Sequence, residues 1–213
     1  MAPLRLEGRL HGQSIIVMSG TLRSMTTSSP RRQASGDEMP GPLIDMRVAL
    51  DELGARRRIM RVKRALQHAE DVAAEVRLTT VDVVHPVLLE VDRDFVLALI
   101  SSGARLSLSA VADLLGARNV RILGPQQTRA WLARQFGNNV QPSSSPVLAW
   151  WEIPFLTGLP TVVAWELTRR ELVVAPTGDP NWIVRLRSEE LARVTSAHVG
   201  KITPIARIAA DNA

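Results

Sequence analysis

The stretch "VVHPVLLEVDRDFVLALISSGARLSLSAVADLLGARNVRIL", residues 83–123, decides the fold class. Its first half contains two apolar runs separated by "DRD", which predicts an antiparallel hairpin. "SLSAVADLLGA" then predicts a helix, with Ser107 or Ser109 to cap its first amides and Gly116 at its end. "NVRIL" predicts another short strand. A hairpin in this position excludes a purely parallel, doubly wound sheet.

Similar elements are predicted on both sides of this stretch. Upstream, we expect a helix that ends at Gly54, a strand over "RRRIMRV" and a helix over "QHAEDVAAEV". Downstream, "GPQQTRAWLARQFG" predicts a helix that Pro125 opens and Gly137 closes. Three strands, "LPTVVAW", "ELVVAP" and "NWIVRLR", and a last helix over "SEELARVT" complete the pattern. The sequence therefore predicts an α+β fold, a mixed β-sheet with packed helices.

The chain is predicted to have one folded domain, over residues 44–203, and a tail at 204–213. Residues 1–43 are rich in Ser, Thr, Pro and Gly and show no sustained periodicity, which predicts a disordered leader. A misassigned start codon is the alternative, because several methionines follow: Met18, Met25, Met39 and Met46.

Composition limits the classes of function. Apolar residues make up 46% of the 213 residues, and there is no cysteine, which excludes thiolate nucleophiles and zinc–thiolate sites. No apolar run reaches the roughly 18 residues of a membrane helix, and the N-terminus has no convincing secretory signal, so we expect a cytoplasmic protein. The net charge of +5 permits an RNA or phosphate partner, although an ordinary arginine-rich surface explains it equally well.

Familiar catalytic and metal-binding motifs are absent from the sequence. There is no G-x-S-x-G, Walker A lysine or H-E-x-x-H, and no two histidines have metal-ligand spacing, so we expect neither a metal nor a cofactor. His85 opens an apolar strand just before Pro86, where an ordinary strand-edge histidine is one interpretation. The segment "RRRIMRVKR" is either a solvated strand face or a surface that tracks nucleic-acid phosphates. Its candidate phosphate contacts are Arg56, Arg57, Arg58 and Arg61.

Three segments in unbroken order resemble the YbaK / prolyl-tRNA-synthetase-associated editing domain. They are "VALDELGARRRIMRVKRALQHAEDVAAEV" (48–76), the stretch 83–123, and "GLPTVVAWELTRRELVVAPTGDPNWIVRLRSEELARVT" (158–195). The resemblance implies a deacylase that hydrolyses amino acids wrongly esterified to tRNA, without a metal. Its partners would be the aminoacylated 3′ end of tRNA and, as a further option, an aminoacyl-tRNA synthetase. An aminoacyl ester is already activated, so aimed amides and a held water could suffice for its hydrolysis.

The resemblance also implies site residues. His85 stands where the family has a catalytic lysine, and Ala164 stands where a strand usually ends in an aspartate. Gly158 belongs to the "G-L-P" motif and Gly178 follows the next strand, so both are assigned to substrate binding together with Ala164. Since the family lysine and aspartate are missing, two functions stay open. One is a free-standing, trans-editing deacylase, and the other is a non-catalytic module that binds tRNA, an aminoacyl-nucleotide or a protein.

The loop "GNNVQPSSSPVLAWWEIPFLTGLP", residues 137–160, takes the place of the family's Gly-x-x-x-Pro loop. Gly137 with Pro142, or Pro146 alone, would stand in for that motif. Trp150 and Trp151 would then border the amino-acid pocket. A core role for at least one of them is one interpretation, because a tryptophan buries a large apolar area. In the other, one ring lines the pocket or stacks on the terminal adenine of tRNA.

Overall fold

A computed structural model of the chain describes residues 41–63, 65–137 and 145–204, all within the unit that spans Met39–Ala213. Nearly all of the predicted leader, and the tail after residue 204, lie outside the described residues. The helices are α1 (Gly41–Glu52), α2 (Ala69–Val76), α3 (Leu108–Leu115), α4 (Pro125–Phe136), α5 (Trp165–Thr168) and α6 (Ser188–Val194). The strands are β1 (Arg57–Arg61), β2 (Val84–Val91), β3 (Asp94–Ser101), β4 (Val120–Ile122), β5 (Thr161–Ala164), β6 (Leu172–Pro176), β7 (Trp182–Arg187) and β8 (His198–Gly200).

The strands form two sheets. One is antiparallel, three-stranded and ordered β1-β7-β6, and the other is five-stranded and ordered β4-β2-β3-β5-β8. The larger sheet is mixed, because β4, β2 and β3 are antiparallel neighbours whereas β3, β5 and β8 run parallel. The predicted α+β class with a mixed sheet and packed helices is confirmed. The strands form two sheets and not one. β1 pairs with β7 of the β6–β7 hairpin, and these three strands make up the smaller sheet.

Local sequence signals explain the helix positions. The Oγ of Ser107 accepts a hydrogen bond from the Ala110 amide at the start of α3, and Gly116 ends that helix in the left-handed conformation at φ 64°. The apolar face predicted for α2 is buried in full: Ala69, Val72, Ala73 and Val76. Within the described residues, α5, β8 and a 3-10 turn at Thr80–Asp82 were not predicted. All three are too short to show a period in the sequence.

The buried side chains of the described residues form three clusters. The first lies between the two sheets and includes side chains of α1, α4 and α6. The second packs α2 against the three-stranded sheet and contains Trp150 and Trp151. The third lies on the other face of the five-stranded sheet, where Val111 of α3 and Ile202 cover it. No helix in the described ranges is long and apolar enough to cross a membrane.

Candidate functional site

His85 and Ala164, the two positions with altered family residues, lie in one row across the five-stranded sheet. His85 pairs with Ile100 of β3, and Ala164 pairs with Gly200 of β8. Because β3 and β5 pair in parallel, their register places Ile100 beside Ala164. Side chains at paired positions share a face, here the face of the third cluster. We call these four residues the transverse row. One strand separates positions 85 and 164, so their backbones are about 10 Å apart, two strand spacings.

His85 is half-buried near the start of β2. Burial lowers the pKa of its imidazole from the ordinary value of 6.5. The ring is therefore neutral at pH 7 and can accept a proton or donate one hydrogen bond. No described residue forms a hydrogen bond with it that would fix its tautomer. His85 is thus a neutral group at a position where the family resemblance implies a fixed positive charge.

A cavity of about 590 Å³ opens where β3, β5 and β8 end. The three strands run parallel, so their carboxyl ends meet at one edge of the sheet. The walls of this edge cavity include Ser101, Arg105, Ala164, Glu166, Arg170 and Lys201. Ala164 belongs both to the cavity wall and to the transverse row, and His85 pairs with the residue that precedes Ser101. The edge cavity therefore adjoins the transverse row.

The charges around the edge cavity are mostly positive. Arg105 and Lys201 are exposed, and neither forms an ion pair with a described residue. Nε of Arg170 is 3.9 Å from Oδ1 of Asp82 and has no hydrogen bond. The one acidic wall residue among those described is Glu166, whose buried Oε2 has no hydrogen-bond partner there. Such a wall suits an anionic ligand that also carries a hydroxyl or amino donor.

Trp165 stands at the mouth of the edge cavity and was not predicted as a site residue. Its side chain is 43% exposed. The guanidinium carbon of Arg169 lies 5.4 Å from the indole ring centroid and Nζ of Lys201 lies 5.7 Å from it, within the range of cation–π contacts. Its sequence signal is a tryptophan directly after the apolar run "TVVA", where the strand ends and the chain leaves the core.

Trp150 and Trp151 are both buried in the second cluster, as expected for a core role. Nε1 of Trp150 donates a hydrogen bond to the carbonyl oxygen of Val84 at 2.7 Å, directly beside His85. Nε1 of Trp151 is buried without a partner among the described residues. Neither ring belongs to the wall of the edge cavity. A role of either ring in substrate binding stays a prediction.

A buried ion pair fixes the segment that carries these two tryptophans. Nε and Nη2 of Arg129 on α4 donate to the two carboxylate oxygens of Glu152, at 2.8 and 3.0 Å. Glu152 is fully buried and also accepts from the Ala149 amide at 2.7 Å, while Arg129 reaches the Val147 carbonyl at 3.0 Å. The carboxylate raises the pKa of the Arg129 guanidinium. The sequence gives no hint of this pair, because its partners are distant in the chain.

The other predicted substrate-binding positions lie away from the edge cavity or outside the described residues. Gly137, Gly158 and Gly178 have positive φ values of 65°, 74° and 87°, so each occupies a turn that favours glycine. A Cβ at Gly178 would lie 3.6 Å from Pro154, which shows how closely the 145–160 segment approaches the end of β6. Pro142 lies outside the described residues. Their roles in binding stay predictions.

The arginines of the basic segment have different surroundings, because successive side chains of β1 point to opposite faces of the sheet. Arg57 is bound to Asp51 at 2.5 Å, so its charge is compensated locally. Arg56 and Arg58 are exposed, and Arg58 pairs across β1 and β7 with another arginine, Arg185. Arg61 is exposed at the end of β1. Phosphate contacts by this segment stay a prediction, in which Arg56 and Arg58 are better placed than Arg57.

Comparison with known proteins identifies the fold. No family model and no curated protein matches the chain. Among solved structures, a proposed trans-editing enzyme for prolyl tRNA synthetase matches at TM-score 0.62 and 19% identity, over 79% of this chain and 100% of that chain. Hypothetical protein APE2540 matches at TM-score 0.61 and 16% identity, over 75% and 99%. A proposed signal transduction protein from Marinobacter aquaeolei VT8 matches at 0.55 and 20%, over 79% of this chain and 31% of that chain. The fold of this chain is the YbaK-like trans-editing fold.

Proposed function

We propose that the chain is a divergent member of the YbaK-like editing family and a free-standing aminoacyl-tRNA deacylase that hydrolyses the ester of mischarged tRNA. The observation that carries this proposal is the likeness to the proposed trans-editing enzyme over the whole length of that protein. A cavity beside the transverse row supports it, because Ala164, one of the two altered family positions, lines that cavity. The other position, His85, pairs with Ile100, the residue before Ser101 of the cavity wall. Its positive wall suits the phosphates at the end of a tRNA.

The reaction would be ester hydrolysis with His85 as the proton carrier. The neutral imidazole accepts a proton from a water that attacks the ester carbonyl carbon, and the carbon–oxygen bond to the ribose then breaks. The proton passes from the imidazolium to the leaving ribose oxygen, which leaves a free amino acid and a tRNA with its hydroxyl restored. A pKa lowered by burial suits this role, because the base form predominates at pH 7. An aminoacyl ester is already activated, so its hydrolysis demands less of the base than hydrolysis of an amide would.

A second function is favoured by one observation, the isolation of His85. Ala164 provides no carboxylate, and no described residue orients the imidazole by a hydrogen bond. A base without an orienting partner is a poor catalyst. In this alternative the protein is a module that binds tRNA without cleaving the ester.

Single-turnover deacylation of alanyl-, cysteinyl- and seryl-tRNA separates the two functions. We expect the wild type to hydrolyse at least one of them faster than buffer, and His85→Ala to lose about 10²- to 10⁴-fold in rate, the usual contribution of a general base. His68→Ala is the matched control, because this exposed histidine forms no side-chain cap at α2 and should leave the rate unchanged. A wild-type rate equal to that in buffer on every substrate, with tRNA still bound, would favour the binding module.

A further inference from the structure

The strand β1 has a free hydrogen-bonding edge. It is the outer strand of the three-stranded sheet, and β7 is its neighbour on one side. The Val62 amide donates to the Asn181 carbonyl oxygen at 2.8 Å, so by alternation the backbone groups of Arg58 also point toward β7. The backbone groups of Arg57 and Ile59 therefore point away from the sheet. No described residue on that side forms a backbone hydrogen bond with either of them.

Unpaired arginines lie along this strand and its neighbour. Arg58 is directly opposite Arg185 of β7, an arrangement of like charges that destabilises a sheet. Arg187 lies two residues further along β7 and points to the same face, while Arg56 directly precedes β1. None of these four arginines forms an ion pair or a hydrogen bond within the described ranges. We call the free edge of β1 together with these four residues the arginine edge.

The two faces of β1 differ in chemistry. On the face opposite to the arginines, Ile59 packs against the first cluster, and the charge of Arg57 is compensated by Asp51 at 2.5 Å. A further strand paired with β1 would therefore need carboxylates opposite Arg58 and Arg56. It would need an apolar side chain opposite Ile59. Residues directly opposite in such a pair have Cα atoms about 4.5–5.5 Å apart, which is close enough for an ion pair.

This requirement excludes two kinds of occupant. A second copy of β1 would bring arginines next to arginines, and charged side chains on edge strands are a known protection against such self-pairing. A nucleic acid has the required negative charge, but its backbone has no amide groups to pair with the free edge of the strand. An extended polypeptide has both the amide groups and, with acidic side chains, the charge.

We propose that the arginine edge binds an extended acidic segment of a partner protein, which adds to the sheet as an antiparallel strand beside β1. In this mode of recognition, main-chain hydrogen bonds provide affinity and alternate side chains provide specificity. The segment has acidic residues at every second position and an apolar residue between them. None of the arginines of this surface belongs to the wall of the edge cavity, so binding here does not depend on ester hydrolysis.

The test is fluorescence anisotropy of a labelled peptide in which glutamate alternates with valine, titrated with the full chain. Valines opposite Arg57 and Ile59 would direct their amides toward β1, whereas the glutamate amides would point to solvent. N-methylation of the valine amides should weaken binding by at least about 10-fold, because main-chain hydrogen bonds are lost. N-methylation of the glutamate amides should leave the affinity unchanged. Since both peptides have the same charge, this difference separates strand addition from charge attraction.

Variants of the protein test the contribution of charge. Arg58→Ala should weaken binding by about 2- to 5-fold, the usual size of an opposite-charge pair across two strands. Arg58→Glu should bind better to the same peptide with lysine in place of glutamate. Arg134→Ala is the matched control, because it removes the same charge from an exposed position on α4 and should leave the affinity unchanged. Thermal unfolding confirms that each variant is folded.

Hydrogen exchange at the Ile59 amide reports on the edge itself. The amide should exchange quickly in the free protein and more slowly when the peptide is bound. Equal binding of the two N-methylated peptides, equal effects of Arg58→Ala and Arg134→Ala, or an exchange rate that the peptide does not change would each overturn the proposal. A protected Ile59 amide in a dimeric protein would assign the edge to a second copy. RNA binding that Arg58→Ala weakens, without binding of the peptide, would assign it to nucleic acid.

Discussion

The pair Trp150–Trp151 and the single Trp165 show two opposite uses of the same side chain. The pair follows a loop rich in Gly, Pro and Ser, yet both rings are buried in the second cluster. Trp165 follows a fully buried strand, yet its ring is exposed among cations. The difference teaches that the local composition around a tryptophan does not decide its burial. The burial of a tryptophan depends instead on whether the chain lies within the core or leaves the core at that residue.

The largest expected effect concerns the ion pair that holds the buried tryptophans. Replacing Arg129 by Met leaves the Glu152 carboxylate buried without a cation, which should lower the free energy of unfolding by about 3–5 kcal/mol. Urea denaturation measures this change. The control is Arg121→Met, which removes the partner of Glu90 in an exposed pair and should cost about 0–1 kcal/mol. Equal costs for the two substitutions would show that the pair does not anchor the segment.

The two buried rings should differ from each other. Trp150→Phe loses the hydrogen bond from Nε1 to the Val84 carbonyl, whereas Nε1 of Trp151 has no described partner to lose. Both substitutions reduce ring size alike, so the difference isolates the hydrogen bond. We expect Trp150→Phe to cost about 1 kcal/mol more than Trp151→Phe in urea denaturation. A larger cost for Trp151→Phe would contradict the assigned bonds.

A smaller effect should appear in the pH dependence of stability, because the imidazole of His85 is partly buried. His85 directly follows Val84, whose carbonyl is bonded to Trp150. Burial lowers its pKa in the folded state below 6.5, so the unfolded chain takes up a proton first as the pH falls. The free energy of unfolding should therefore decrease as the pH drops from 7 through 6.5. His85→Gln should flatten this dependence, as measured by denaturation at several pH values. If the free energy of unfolding of the variant depended on pH as that of the wild type does, the imidazole of His85 would be exposed to solvent in the folded state.

The smallest effect is expected at the exposed ring. Trp165→Phe should change the free energy of unfolding by less than about 0.5 kcal/mol, which is typical of surface substitutions. Chemical denaturation of Trp165→Phe and Trp150→Phe in parallel measures the change in the free energy of unfolding of each variant. A destabilisation comparable to that of Trp150→Phe would remove the contrast between the two kinds of tryptophan.

Much of the fold could be predicted because its signals are local. The buried face of α2, the hairpin of β2 and β3 and the glycine after α3 each follow from a few neighbouring residues. The strand β8 could not be predicted in this way. It has three residues and pairs with β5 at its middle position through the exposed Val199, so neither length nor apolar pattern marks it.

The sequence could suggest only some residues of the candidate site. The resemblance selected His85 and Ala164, and the structure places both in one row. Trp165 and Lys201 were missed because their proximity depends on the parallel pairing of β5 with β8, which no local pattern encodes. The contact between Arg129 and Glu152 likewise joins residues 23 positions apart.

The position of β8 in the chain has a consequence for protein synthesis. The edge cavity needs the ends of β3, β5 and β8, and its wall is incomplete until Pro204 has left the ribosome. Earlier parts of the domain can bury the second cluster, whose residues lie between Val62 and Ile183, while the chain is still growing, but they cannot bind a ligand at the cavity. A ligand that binds this cavity therefore stabilises finished molecules selectively, by mass action on the folded state alone. Binding at this edge would act as a check that translation of the domain has been completed.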